Sequence, residues 1–250
     1  MAKFLVLALV LLVIGCAGSA NPDRASPWSG PQLPAPGSGQ YCLSRAGAPV
    51  GIERYTVTAT GAFWAVVGHQ AHYGGAQVEL HYRLWADPRS GQVEGLDLRV
   101  GAGGLSRRVR GIRRGPWLEI EGEGAGGAFR RRVPWSPGTW IGFPSPLFEA
   151  LALGARDPNG ASRDRVVLFY PPELSPVVRL AEIEPRGAEG EDRRFLIRPG
   201  EGLAPVGLWL GPEGHPTRVR RYLGDAAPLE SVRSSSCAAP PPGSAKLPPP

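Results

Sequence analysis

The sequence predicts an all-β domain, built as a curved antiparallel meander that resembles a half-barrel, with one short helix packed on the concave face. Three observations predict this fold. Apolar and polar residues alternate along many short segments, turn-forming residues separate these segments, and a single proline-rich segment interrupts the alternation. About a dozen short strands with short turns are typical of a sandwich, a barrel or a curved sheet.

The clearest strands lie in the first half of the domain. The segment QVELHYRLW has apolar residues at every second position from Val78 to Leu84, as in a half-buried antiparallel strand. IERYTVTAT and GAFWAVVGHQAH contain the β-branched and aromatic residues that strands favour. After the turn ADPRSGQ, the alternation resumes in QVEGLDLRV and continues through SRRVRGIRRG, PWLEIEGEG and GAFRRRVPW.

One segment in the middle of the chain predicts a helix. VPWSPGTWIGFPSPLFEALALGARDPNG does not alternate and contains five prolines. Within it, Ser145 can cap a helix that has Pro146 at its first position and ends at Gly154. The apolar side chains of this helix need a partner, which the concave face of the sheet provides. Strand patterns return after residue 162 in RVVLFY, PVVRLAEIE, RRFLIRPG, APVGLWLG and PTRVRRYLG.

The N-terminus carries an export signal. A basic start precedes eleven consecutive apolar residues (4–14), a run too short to span a bilayer as a helix. The stretch VIGCAGS resembles the lipobox of bacterial lipoproteins. This resemblance implies that residues 1–15 are a signal peptide and that Cys16 is lipidated, so that acyl chains anchor the protein in a membrane. The alternative is a plain secretory signal with an accidental cysteine.

Two segments of low complexity flank one domain. Residues 16–40 are rich in Pro, Gly, Ser and Ala, and they predict a lipidated cysteine followed by a flexible tether. Residues 237–250 predict a disordered, proline-rich tail. Residues 41–236 lie between them and are long enough to bury a core as a single β-rich domain.

Two further cysteines, Cys42 and Cys237, stand at the two ends of this domain. An exported protein meets an oxidising environment, in which a disulfide between them would be stable. Such a bond would join the first predicted strand to the last ordered residue. Two unpaired cysteines are the alternative.

The order of the elements resembles a known group of half-barrels. The parts that carry the resemblance are YCLSRAGAPVGIERYTV and VPWSPGTWIGFPSPLFEAL. An antiparallel meander that is interrupted by an apolar helical lid and then resumes is similar to the bacterial lipoprotein-localisation carriers and the glycolipid-binding proteins. The resemblance covers residues 41–223 and implies an apolar cavity for acyl chains between sheet and helix.

Candidate ligand-binding residues lie around the predicted helix and in the most basic segment. The apolar candidates are Trp135, Trp140, Phe143, Leu147, Phe148 and Leu151. Large aromatic faces suit acyl or glycan ligands, although the same side chains can fill an ordinary core. Arg108 and Arg110 are candidates to bind an anionic head group, or else belong to a rim strand protected against aggregation.

The sequence lacks the common catalytic motifs. It has no GxSxG elbow, Walker loop or HExxH pair, so we expect no cofactor and favour a protein without enzyme activity. His69 and His72 are three residues apart and point to opposite faces of a strand, so we expect no metal site from them. Glu119, Glu121 and Glu123 share one strand face, a pattern typical of solvent exposure. An enzyme acting on envelope lipids or glycans is the third hypothesis.

The leading hypothesis is a lipid-anchored envelope lipoprotein that binds an amphiphile in an apolar cavity without catalysis. The amphiphile would be a lipid, a glycolipid or a lipoprotein acyl chain. The alternative is a scaffold lipoprotein with a filled core that binds an envelope protein or polymer. An exported protein is not expected to bind nucleic acid, despite its net charge of +6. Because alanine and not aspartate follows Cys16, the lipoprotein sorting rule favours the periplasmic face of an outer membrane, and otherwise the outer face of the cytoplasmic membrane.

Overall fold

The computed structural model describes residues 33–73, 78–124, 127–136, 139–148, 162–169, 174–200, 203–223 and 226–238. Within these ranges, fifteen strands form one curved sheet that does not close into a barrel. The first eight strands are β1 Gly37–Arg45, β2 Ala48–Ala59, β3 Trp64–His72, β4 Val78–Ala86, β5 Val93–Ala102, β6 Leu105–Arg114, β7 Trp117–Gly124 and β8 Gly127–Pro134. The others are β9 Trp140–Gly142, β10 Ser162–Phe169, β11 Pro176–Glu189, β12 Asp192–Arg198, β13 Val206–Leu210, β14 Pro216–Leu223 and β15 Ala226–Arg233.

The predicted all-β, antiparallel fold is confirmed, and its strand order has one long-range step. The order across the sheet runs from β8 down to β1, then from β15 down to β9. The first and last strands therefore pair at the centre of the sheet, with Cys42 opposite Val232. The pair β9–β10 is parallel, which the long connection between these two strands permits.

The described helical structure is a single turn that begins at Pro146, directly after Ser145, as predicted. Leu147 and Phe148 in this turn are fully buried. The predicted end of the helix at Gly154 lies outside the described residues. No helix within the described ranges has the length and apolar character needed to cross a membrane.

The end of the sheet at β9 and β10 lies inside the curve of the other strands. Ile141, Val167 and Phe169 pack into a core cluster with side chains of β1 to β8. The opposite face of β9 and β10 packs into a second cluster with side chains of β11 to β14. The residues that β9 and β10 contribute to this cluster are Trp140, Val166 and Leu168. A strand buried on both faces is apolar without alternation, which explains the sequence VVLF at the end of β10.

The position of β9 and β10 inside the curve determines which residues cover the concave face of the sheet. The sequence predicts one short helix there, with a cavity for acyl chains beneath it. Among the described residues, the helical turn at Pro146 packs on the concave face, as predicted, and the sheet's own end at β9 and β10 covers that face beside it.

Residues before position 41 also contact the domain. β1 starts at Gly37, within the segment predicted as a tether. The buried Pro34 accepts a hydrogen bond from the Trp64 indole at 2.8 Å, and the carbonyl of Ala35 lies 2.8 Å from His215 Nε2. Residues from about 33 onward therefore belong to the domain.

The predicted disulfide between Cys42 and Cys237 is present. Its cysteines are separated by 195 positions, and they join β1 to the segment that follows β15. Beyond the end of β15, the backbone N–H of Ser234 donates to the carbonyl of Gln40 at 3.1 Å. The covalent bond and the strand pairing thus hold the same junction.

Replacing Cys42 and Cys237 together by serine should lower the free energy of unfolding by about 2–5 kcal/mol, because the unfolded chain gains the freedom of a very long loop. Urea unfolding of the oxidised protein and of the double variant measures this difference. Adding a reductant should destabilise the wild type and leave the double variant unchanged. Equal midpoints for the two oxidised proteins would contradict the expectation.

Candidate functional site

A groove crosses the outer face of β3 to β6, on the opposite side of the sheet from the core. Its volume is about 530 Å³. The residues that line it are Phe63, Ala65, Arg83, Trp85, Leu96, Asp97, Arg110 and Ile112. Phe63 is 44% exposed and Ile112 is 48% exposed. Exposed apolar side chains that lie together in this way are typical of an interaction surface.

Glycine at position 95 shapes the floor of the groove. Gly95 lies directly opposite Trp85 in the β4–β5 pair. A side chain at residue 95 would overlap the Trp85 indole, because a Cβ there would lie 2.1 Å from the ring. The missing side chain therefore lets the indole lie across β5 and form a flat apolar floor.

Two arginines flank this floor. The guanidinium carbon of Arg83 lies 5.9 Å from the centre of the Trp85 ring, within the range of a cation–π contact. Nε of Arg110 lies 3.6 Å from Oδ2 of Asp97. The Arg110 side chain is 52% exposed and Arg83 is also exposed, so both present positive charge beside an apolar surface.

Asp97 is held mainly by Arg108. Nε of Arg108 donates to Oδ1 of Asp97 at 2.8 Å, and a second nitrogen donates to Oδ2. Burial acts to raise the pKa of Asp97, but the hydrogen bonds and charge of Arg108 outweigh it and lower that pKa. Arg108 is therefore held by two hydrogen bonds to Asp97, whereas Arg110 has only a longer contact with the same carboxylate. Of the two arginines predicted to bind a head group, Arg110 has the better placement.

The arginines of β6 and β8 lie beside glutamates of the strand between them. That strand is β7, which pairs with both β6 and β8. Glu121 of β7 lies opposite both Arg110 and Arg130. Glu119 accepts hydrogen bonds from Arg132, which lowers its pKa. Carboxylates thus alternate with the arginines, and the surface is less basic than its sequence indicates.

The aromatic residues predicted to line a pocket are parts of the core. Trp135, Phe143, Leu147 and Phe148 belong to one core cluster and are at most 3% exposed. The Trp135 indole donates to the carbonyl of Val93 at 3.1 Å. The Phe143 and Phe148 rings lie 5.1 Å apart and both meet the edge of Tyr82. A ligand would reach these four side chains only after a change in this packing.

Trp140 and Leu151 are separate from that group. Trp140 is also buried, but it belongs to the second cluster, on the other face of β9. Leu151 lies outside the described residues. The six apolar candidates therefore do not converge on one pocket within the described part of the chain.

A buried carboxyl group lies inside the sheet, and sequence reasoning did not predict it. Glu53 of β2 is completely buried. Its Oε1 accepts hydrogen bonds from the hydroxyl of Tyr82 at 2.7 Å and from the hydroxyl of Ser145 at 2.6 Å. Tyr82 reaches Glu53 across β3 at Gly68, where any side chain would overlap the tyrosine ring. Ser145, predicted as a helix cap, thus ties the turn at Pro146 to the sheet.

The surroundings of Glu53 favour its neutral form. Burial raises the pKa of Glu53 from 4.5 to about 7, although the hydrogen bonds from Ser145 and Tyr82 and the charge of Arg221 act to lower it. Such a group exchanges a proton near neutral pH, as an acid or base must.

Several buried polar atoms near Glu53 have no hydrogen-bond partner among the described residues. They are Oε2 of Glu53 and both amide atoms of Gln70. Gln70 lies directly opposite Glu53 in the β2–β3 pair. Unpaired polar atoms this close together are typical of a place that holds water or a polar group.

The sequence carried one signal for this cluster. In ERYTV of β2, Glu53 shares a strand face with the apolar Tyr55 and Val57, and a charged residue on an apolar face marks a buried polar site. Its partner Ser145 lies 92 positions away, so the pairing itself cannot be read from local patterns.

Comparison with known proteins gives a fold and no family. No protein-family model matches the chain, and no curated protein matches it. A β-barrel-like protein of the domain of unknown function DUF1849 from Brucella abortus aligns with a TM-score of 0.53 at 9% identity, covering 81% of this chain and 97% of its own. A DUF1089 protein from Pseudomonas aeruginosa aligns with a TM-score of 0.47 at 17% identity, covering 66% and 87%. The chain therefore shares a β-barrel-like fold with the Brucella protein.

The raised pKa of Glu53 predicts that the free energy of unfolding depends on pH. A folded pKa above the unfolded value means that this group contributes stability below pH 4.5, which is lost as the pH rises through 7. Glu53→Gln keeps the acceptor for Tyr82 and Ser145 but does not titrate. The variant should exceed the wild type in unfolding free energy by less than about 1 kcal/mol at pH 5 and by about 3 kcal/mol at pH 8.

Urea unfolding at the two pH values measures this difference, and other titrating groups cancel in the comparison. Glu121→Gln, the same substitution at an exposed position of β7, is the matched control. An equal difference at pH 5 and pH 8 for Glu53→Gln would contradict the raised pKa.

Proposed function

We propose that this protein is a lipid-anchored protein of the bacterial cell envelope that binds an anionic amphiphile, without catalysis, in the outer groove of β3 to β6. The observation that carries the proposal is the pairing of an exposed apolar floor with two arginines at one groove. The amphiphile would be a lipid, a glycolipid or the acyl chain of a lipoprotein.

The apolar part of the groove suits a hydrocarbon chain. Phe63, Trp85 and Ile112 present apolar surface that is otherwise in contact with water. Each buried methylene contributes about 0.8 kcal/mol, so eight methylenes that are half buried here gain about 3 kcal/mol before the costs of binding. This gain corresponds to weak, reversible binding of a single chain.

The arginines suit an anionic head group. A guanidinium binds phosphate or carboxylate oxygens with two parallel hydrogen bonds. Arg83 has no ion pair within the described part of the chain, and Arg110 has only its 3.6 Å contact with Asp97. Both can turn towards a head group at little cost, whereas Arg108 would have to leave its bonds to Asp97.

The position of the N-terminal segment supports binding at a membrane. Pro34 is bound to Trp64, and Phe63 of the groove is the residue directly before Trp64. If Cys16 is lipidated and the segment after it is the tether that the sequence predicts, this tether would reach about 20–25 Å. The groove would then lie within reach of the bilayer surface, at the outer membrane or, failing that, at the cytoplasmic membrane.

The alternative function is a scaffold lipoprotein that binds an envelope protein or polymer. The observation that favours it is the packed interior, in which the sheet's own end occupies the space of a half-barrel ligand. On this hypothesis, the outer groove would contact a protein and no lipid.

The test is native mass spectrometry of residues 17–250, exported to the periplasm and titrated with lysophosphatidylglycerol, an anionic single-chain lipid. We expect one bound lipid, with binding weakened about tenfold in Trp85→Ala and in Arg110→Gln. Arg110→Gln should reduce the preference for this lipid over the zwitterionic lysophosphatidylcholine.

Control variants replace exposed residues outside the groove. Leu180→Ser removes an exposed apolar side chain of β11, and Arg179→Gln removes a neighbouring exposed arginine. Both should bind lipid like the wild type. Absence of binding, or an equal loss in the control variants, would reject the amphiphile hypothesis and favour the scaffold.

A further inference from the structure

Two histidines meet on the outer face of the β3–β4 hairpin, away from the groove. His69 of β3 lies directly opposite His81 of β4. Their rings stack, with centres 4.3 Å apart and planes inclined by 14°. His72, three positions from His69, points to the other face of β3, as the strand period requires. The histidine pair is therefore formed across two strands and not along one.

A carboxylate completes the group. Glu79 precedes His81 by two positions, so both side chains lie on the same face of β4. Nε2 of His81 is 3.9 Å from Oε2 of Glu79. One potential ligand atom from each of His69, Glu79 and His81 lies within 4.8 Å of the other two.

The inner member of the group has a free nitrogen. Nε2 of His69 is buried and has no hydrogen-bond partner among the described residues. An imidazole nitrogen that no protein group occupies can bind a metal ion.

We propose that His69, Glu79 and His81 bind a divalent first-row transition metal, with Zn²⁺, Ni²⁺ and Cu²⁺ as the candidates. Two imidazoles and one carboxylate are the ligands that these ions accept, whereas Ca²⁺ and Mg²⁺ prefer oxygen. Three protein ligands leave at least one coordination position for water or another ligand.

The three ligand atoms must move closer together to bind one ion. Ligand atoms about 2.1 Å from a tetrahedral ion lie about 3.4 Å from each other, so separations of up to 4.8 Å must shorten by up to about 1.4 Å. The side chains of His81 and Glu79 are about half exposed and can turn about their side-chain bonds to do this. His69, the more buried ligand, can keep its position.

Nearby charges limit the affinity. Arg54 lies opposite His69 in β2, and Arg99 lies opposite His81 in β5. These two arginines repel a cation, while Glu79 attracts it. The site should therefore bind its metal more weakly than one surrounded by carboxylates.

The test is isothermal titration of the full chain in detergent micelles, stripped of metal and carrying an affinity tag free of histidine, with Zn²⁺ and with Ni²⁺ alone. We expect one ion per chain. His69→Ala and His81→Ala should each weaken binding at least about tenfold, and Glu79→Gln should weaken it less. The matched control is His72→Ala, which removes a histidine from the same strand but the opposite face, and it should bind like the wild type.

Three results would overturn the proposal. The first is no detectable binding of either ion to the wild type. The second is an affinity in His81→Ala equal to that of the wild type, and the third is a loss of binding in His72→Ala equal to that in His81→Ala. Because a variant can also lose binding by unfolding, each variant's circular dichroism spectrum must match that of the wild type. His69→Gln and His81→Gln provide milder replacements if an alanine variant does not fold.

Discussion

The antiparallel pairing of the first strand with the last is the constraint on which the rest of the fold depends. β1 and β15 meet at the centre of the sheet and join two series of strands that would otherwise be separate. Bringing these strands together closes a loop of nearly the whole domain, which costs conformational entropy. The Cys42–Cys237 bond removes much of that cost by holding the same junction in the unfolded chain.

At the end of the second series of strands, β9 and β10 lie inside the curve of the other strands. Their position determines which surfaces of the sheet a ligand can reach. The end of the sheet at β9 and β10 is buried on both faces, and it occupies the interior together with Phe143 and Phe148. Glu53 holds this inner layer to β2 through the Ser145 hydroxyl. Because the described interior is packed, the outer face is the accessible apolar surface, and the groove beside Trp85 has both a floor for a chain and cations for a head group.

Alternation in the sequence predicts a strand where all side chains on one face of that strand are buried. In β4, for example, Leu80, Tyr82 and Leu84 are all buried. The sequence was not informative for β15, because the buried Ser231 hides the apolar alternation. The positions of Cys42 and Cys237 favoured a disulfide without excluding two unpaired cysteines, and the structure contains the bond. The filling of the concave face could not be predicted, since both a helical lid and a coiled sheet end are apolar. Contacts between strands, such as His69 with His81, require the register, which local patterns do not supply.

The proposed function requires that an amphiphile binds at Trp85, on the outer face of the sheet. The most direct measurement is quenching of tryptophan fluorescence by lysophosphatidylglycerol with a brominated acyl chain, because bromine quenches only the indoles it approaches closely. We expect quenching in the wild type and in Trp140→Phe, and its loss in Trp85→Phe. Quenching that persists in Trp85→Phe but is lost in Trp140→Phe would place the chain inside the sheet and exclude binding in the outer groove.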